Sequence, residues 1–195
     1  MKVYLMIFIS FLSVTSAKAW TVMVISQPHA EWIDVNDQRN PLKVGQFLNV
    51  ADTIVTGPGT KVKLIENYTV MVVGENTTLK IEEPERKNEQ NSPVTLNLRQ
   101  GQVRMMVNKM EAKKYRYRIP SIVAGVRGTE FILVASSQKE ALAVIDGEVN
   151  AEILESKAKA VVKKNIAWVR EGKEEGKLIP LTPEQKKSWV QATSL

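Results

Sequence analysis

The chain has 195 residues and no cysteine, which excludes disulfides, zinc–thiolate sites and cysteine nucleophiles and leaves burial and hydrogen bonding to supply stability. His29 is the sole histidine, so no metalloprotease histidine pair exists and a serine–histidine–acid relay would have to pass through one residue beside Pro28. The formal charge of +6 includes Lys2 and Lys18, and the remaining basic bias is that of a solvated, lysine-rich surface, with attraction to an anionic envelope polymer as the secondary reading.

Residues 1–19 carry a positive start at Lys2, an apolar run over residues 3–14 and the small-x-small pattern Ala17-Lys18-Ala19. That is the pattern of a signal helix cleaved after Ala19. The apolar run is short for a membrane span, which needs about 20 residues. The expected location is therefore periplasmic or secreted, with no membrane span after cleavage and no nucleic acid as partner.

Residues 20–33 read as two short strands broken at Gln27-Pro28, and residues 34–41 as a polar turn. A strand is expected over residues 52–56, then a turn at Thr56-Gly57-Pro58-Gly59. That stretch fails the phosphate-loop pattern, because no Gly-Lys-Ser/Thr ends it. Residues 60–81 alternate with period two, as strands do. Residues 82–93 offer nothing to bury and read as a loop. Alternation resumes at 94–98, with Gly101 expected to mark a turn before 103–107. Tyr115, Tyr117 and Ile119 then form a core face opposite Lys114, Arg116 and Arg118.

Residues 141–145 lead into Asp146-Gly147, which reads as a tight turn before a strand at 149–154. Leu98, Gly101 and Val103 share their spacing with Val144, Gly147 and Val149, which suggests repeated strand-turn-strand units that stack. Apolar strands over 160–169 close the core. Residues 171–181 read as a charged linker and 182–195 as one short C-terminal helix. Thr182 caps it, Pro183 takes the first helical position, Gln185 completes a capping box, and Trp189 is the expected docking residue.

The candidate site lies in residues 119–134, where Pro120, Gly125 and Gly128 stand beside an apolar, strand-length run. The signature turn is Gly125, Val126, Arg127, Gly128, Thr129 and Phe131. Its glycines have the GxxG spacing of a nucleic-acid clamp, but that motif sits between helices and strands flank it here. Arg127 is expected to be structural, bonding corner carbonyls or a carboxylate among Glu130, Asp146 and Glu148; a partner contact is the other reading. Asp52 and Asn76 are expected to pin turns. Val126, Phe131, Leu133, Val144 and Val149 are expected in the core.

The run Val126-Arg127-Gly128-Thr129-x-Phe131, with Pro120 before it and Gly147-x-Val149 after it, resembles the FecR domain, a periplasmic module of bacterial cell-surface signalling. The likeness extends through Leu42, Gly45, Asp52, Ile54, Thr56 and Gly57, then Val62, Leu64, Val70, Val72, Asn76, Thr77 and Leu79, then Leu98, Gly101 and Val103. It covers residues 20–170. The resemblance and the strand pattern together imply an all-β fold, a β-solenoid-like or rolled β-sandwich domain of short strands. The resemblance implies a non-catalytic envelope module with a protein partner and no cofactor or metal. A glycan- or cell-wall-binding protein is the alternative, with a glycan-active β-helix enzyme behind it. FecR regulators place a cytoplasmic segment and a membrane helix before this domain; this chain is expected to be a stand-alone form.

Overall fold

The computed structural model describes residues 20–82, 92–111 and 115–195. The expected signal peptide and most of the expected 82–93 loop lie outside the described residues. The strands are β1 (Trp20–Ile25), β2 (Ala30–Ile33), β3 (Arg39–Pro41), β4 (Phe47–Leu48), β5 (Thr53–Thr56), β6 (Val62–Glu66), β7 (Thr69–Val73), β8 (Thr78–Glu82) and β9 (Val94–Met106). They continue with β10 (Tyr115–Ile119), β11 (Ile122–Val126), β12 (Glu130–Ala135), β13 (Lys139–Asp146), β14 (Glu148–Ile153), β15 (Lys159–Lys163), β16 (Ile166–Glu171) and β17 (Lys177–Pro180), and one helix, α1 (Pro183–Ala192), ends the chain. The protein is thus mostly strand, as the period-two alternation predicts.

The strands form one open sheet, not closed into a barrel, with two arms that share β9. The first arm runs β4, β1, β6, β7, β9, β12, β13, β16, β17. The second runs β3, β2, β5, β8, β9, β10, β11, β14, β15. Every pairing among the described residues is antiparallel except β9 with β10. β9 serves both arms because its first half pairs with β8 and β10 and its second half with β7 and β12.

The chain passes repeatedly from one arm to the other, and among the described residues eight crossings turn on a residue with positive φ: Gly45, Ala51, Gly59, Asn76, Gly101, Gly128, Gly147 and Asn165. These corners explain a feature that plain alternation would forbid. Leu98 and Val103 are five residues apart, as are Val126 and Phe131, and Val144 and Val149; a straight strand would place each pair on opposite faces. All six are buried. The corner between them reverses the facing of the chain, so both members point into the space between the arms.

Two corrections follow. Gly101 is a bend inside one 13-residue strand rather than a turn between two strands. Asp146-Gly147 is a corner between arms and not a hairpin, since β13 pairs with β12 and β16 while β14 pairs with β11 and β15.

The arms meet through aromatic rings: Trp20 of β1 lies 5.4 Å from Tyr115 of β10, and Tyr117 meets Phe131 edge-on at 4.9 Å. Leu133, Val144 and Val149 join the same core. Burying a side chain such as Phe131 contributes about 3–5 kcal/mol, so truncating it to alanine is expected to unfold a marginal domain in a denaturant melt.

Two segments differ from expectation near the edges. The 34–41 turn contains β3, which tolerates Pro41 because an edge strand does not need the missing N–H. Within the expected 171–181 linker, residues 177–180 form β17 and pair with β16.

Helix α1 begins as its sequence predicts. The Gln185 N–H donates to Thr182 Oγ1 at 3.2 Å and the Thr182 N–H donates to Gln185 Oε1 at 3.0 Å. It crosses the outer face of the first arm, from Asn165, whose Oδ1 accepts from Lys186 Nζ at 3.0 Å, to Lys61, whose Nζ donates to the Gln191 carbonyl at 3.0 Å. Outward-facing Val72, Ile132, Ala143 and Ala167 lie in one row with Arg104 along that path, and they are buried although they stand outside the central core. Trp189 is half-buried, under Lys139 Nζ at 5.6 Å from its ring centre.

Candidate binding face around residues 125–129

The signature turn divides into an inward and an outward part. Val126, Thr129 and Phe131 are buried. Thr129 joins three segments: its Oγ1 donates to the Glu148 carbonyl at 2.9 Å, its N–H donates to the Val107 carbonyl at 3.1 Å, and the Val107 N–H donates back at 3.0 Å. Gly128 occupies a left-handed φ of 63°, and a Cβ there would stand 2.1 Å from Lys109 Cγ. Gly147 stacks on this corner, since its Cβ would lie 3.0 Å from the Gly128 carbonyl oxygen. These residues hold the crossing together.

Gly125 and Arg127 are exposed. Gly125 is not in the turn at all; it lies inside β11, opposite Arg116 and Asn150. No positive φ requires glycine there, and a Cβ would meet nothing within 4 Å. Arg127 has no hydrogen bond or ion pair among the described residues. The carboxylates expected to answer it are otherwise placed: Glu130 Oε1 accepts from Arg104 Nε at 2.9 Å and Nη2 at 2.5 Å, and Asp146 Oδ1 accepts from Lys164 Nζ at 2.7 Å. Glu148 enters the corner through its carbonyl and not its side chain. Among the described residues the corner's hydrogen bonds come from Thr129 and backbone groups, and Arg127 takes no part in them.

Gly125 forms part of the floor of a groove of about 640 Å³ on the outer face of β10, β11, β14 and β15, lined also by Arg116, Val123, Glu152, Lys159 and Val161. Alternation by itself makes these polar faces plain solvent-facing surface. The signal available was the alternation itself, which puts Arg116 and Arg118 on the face opposite Tyr115 and Tyr117, but pairing of β11 with β14 is needed to bring Lys159 and Val161 beside them.

A second polar cluster fastens the β10–β11 hairpin tip. The Ser121 N–H donates to Glu140 Oε2 at 2.8 Å, Ser121 Oγ donates to Glu140 Oε1 at 2.9 Å, and Arg170 Nη1 donates to Ser121 Oγ. With its proton held by a carboxylate and its oxygen under a guanidinium, this hydroxyl is a tie between β13 and β16. Among the described residues no group of three or more histidines and carboxylates is placed to hold a metal ion.

A family model described as FecR protein matches residues 52–150, from the start of β5 to the middle of β14. Two crystal structures of a "putative anti-sigma factor" from Parabacteroides distasonis ATCC 8503 share the fold, with TM-scores of 0.58 and 0.59 at 15% and 16% identity. Each likeness covers 71% of this chain and 64% of that protein. No curated protein matches the chain.

Proposed function

Because this chain belongs to the FecR family, we propose that it is an exported, non-catalytic signalling module of the cell envelope that acts through protein–protein contacts. Residues 1–19 act as its cleaved signal peptide, in keeping with their charge and apolar pattern. No described helix is long and apolar enough to cross a membrane. The regulatory reading is supported by the fold shared with the anti-sigma structures. Residues 20–170 form the domain, with β17 and α1 as an appended cover. Its form is a rolled sandwich: aromatic contacts between antiparallel arms support this over a solenoid, whose stacked coils would pair in parallel.

The observation that carries the reading is Arg127, an exposed guanidinium with no partner among the described residues, at a corner whose hydrogen bonds are made by Thr129 and backbone groups. An arginine in that position contributes to recognition more readily than to stability. The test is capture of envelope proteins by the full exported chain and by Arg127→Ala, beside melts of both. The expected result is an unchanged melting temperature with capture lost. A fallen melting temperature with capture retained would return Arg127 to a structural role and remove the reading's support.

A further inference from the structure

The outer face of β10, β11, β14 and β15 has a chemistry that deepens this reading, and the inference rests on it. Its residues lie in rows set by the strand registers. One row is Arg116, Gly125, Asn150 and Val161. The next, two residues along each strand, is Arg118, Val123, Glu152 and Lys159. On the other side, Glu148 pairs with Lys163, and Arg127 stands at the end of β11. Every row carries at least one cation, and Lys157 adds another at the groove's rim. Glu148 and Glu152 are the carboxylates among them, so the face is positive overall.

Successive rows on a sheet are about 6.6–7 Å apart, the same spacing as alternate side chains of any extended chain. A polypeptide lying along β11 with acidic residues on its sheet-facing side would therefore meet Arg127 and Lys163 at one end of the groove and Arg118 and Lys159 at the other, with the Gly125 row between them. The floor it would lie on is Gly125, a glycine that the fold does not require, and its flanks are the aliphatic side chains of Val123 and Val161. Glycine inside a strand marks a place where another chain comes close to the backbone. The aliphatic flanks favour a peptide over a bare polyanion, because a phosphate or sugar-acid polymer has no apolar side chain to set against them. We propose that this groove binds an extended acidic segment of a protein partner, with Arg118, Arg127, Lys159 and Lys163 meeting its carboxylates and Gly125 giving it room to approach.

The test uses the full exported chain and a fluorescently labelled nonapeptide alternating glutamate and valine, followed by anisotropy. Binding is expected, weakening as salt rises because exposed charges are screened over about 10 Å at 0.1 M. Gly125→Val adds bulk to the groove floor at a position where a Cβ meets nothing within 4 Å, and it is expected to weaken binding at least tenfold while the melting temperature holds. Lys159→Glu should do the same. Equal affinity of Gly125→Val and the parent, or equal binding of a lysine–valine peptide, would overturn the proposal. Tighter binding of polyphosphate that survives Gly125→Val would overturn it in favour of a polymer site. The envelope-capture experiment separates the two levels: capture that depends on Arg127 without peptide binding removes only the acidic-segment assignment. Peptide binding without any envelope capture removes the envelope-module reading and leaves the surface standing.

Discussion

Gly101 and Gly125 are both glycines inside strands, and they are there for opposite reasons. At Gly101 φ is 97° and a Cβ would lie 2.2 Å from Thr77 Oγ1 and 2.5 Å from Thr77 Cα. Gly101→Ala is expected to cost at least about 2 kcal/mol through backbone strain and collision with Thr77. At Gly125 neither condition applies, so Gly125→Ala is expected to gain about 0.5–1 kcal/mol, since glycine weakens a strand interior. Urea melts of the two variants check this, and a loss at Gly125 would mean that its fold role has been misread. The sequence showed both glycines but could not separate them: spacing reveals where a glycine sits, while φ and the opposing strand decide why.

Asp52 is a further single-residue case. Its Oδ2 accepts from the Asn49 N–H at 2.8 Å, as the expected turn-pinning requires. Burial pushes its carboxyl up from the ordinary 3.8; the Asn49 bond opposes this and the charge of Asp34 adds to it. The folded state thus binds the proton more tightly than the unfolded one, and the Asp52 contribution to stability falls as pH rises from the ordinary value through the raised one. Asp52→Asn keeps an acceptor for Asn49. Its melting temperature relative to the parent is expected to be more favourable at pH 7 than at pH 3, and the reverse order would contradict the shift.

At the scale of elements, strand existence was legible almost throughout, because period-two alternation survives in β6, β8 and β10 without help from context, while β7 and β12 are apolar runs of strand length. What was not legible was the crossing between arms. Asp146-Gly147 has the composition of a hairpin turn, and nothing local says that β14 will pair with β11 instead of β13. β17 was hidden for a related reason: Lys177, Leu178, Ile179 and Pro180 form a strand only because β16 offers an edge. Helix α1 was fully marked by its capping box, yet its role as a cover over Ile132, Ala143 and Ala167 depends on a sheet face that local sequence does not reveal. None of its own side chains is buried, so the helix relies on its cap and on polar ties from Lys61, Gln102 and Lys186. Thr182→Ala is expected to cost about 1 kcal/mol, read as a lower midpoint in a denaturant melt, and a midpoint equal to the parent's would show that the docking ties alone hold the helix.

For the whole molecule, the two arms divide their outer faces between different tasks. The first arm's outer face is crossed by α1, while the second arm's, over β10, β11, β14 and β15, is uncovered among the described residues and carries more cations than carboxylates. The partner is expected to sit on this face. The most direct measurement is site-specific photocross-linking inside the cell that makes the protein, with the reactive residue placed at Gly125 or Val161 on the open face, or at exposed Phe47 on the outer face of the first arm. One discrete protein adduct is expected from Gly125 and one from Val161, with none from Phe47. Adducts from Phe47 with none from Gly125 would contradict it and move the contact surface to the other arm.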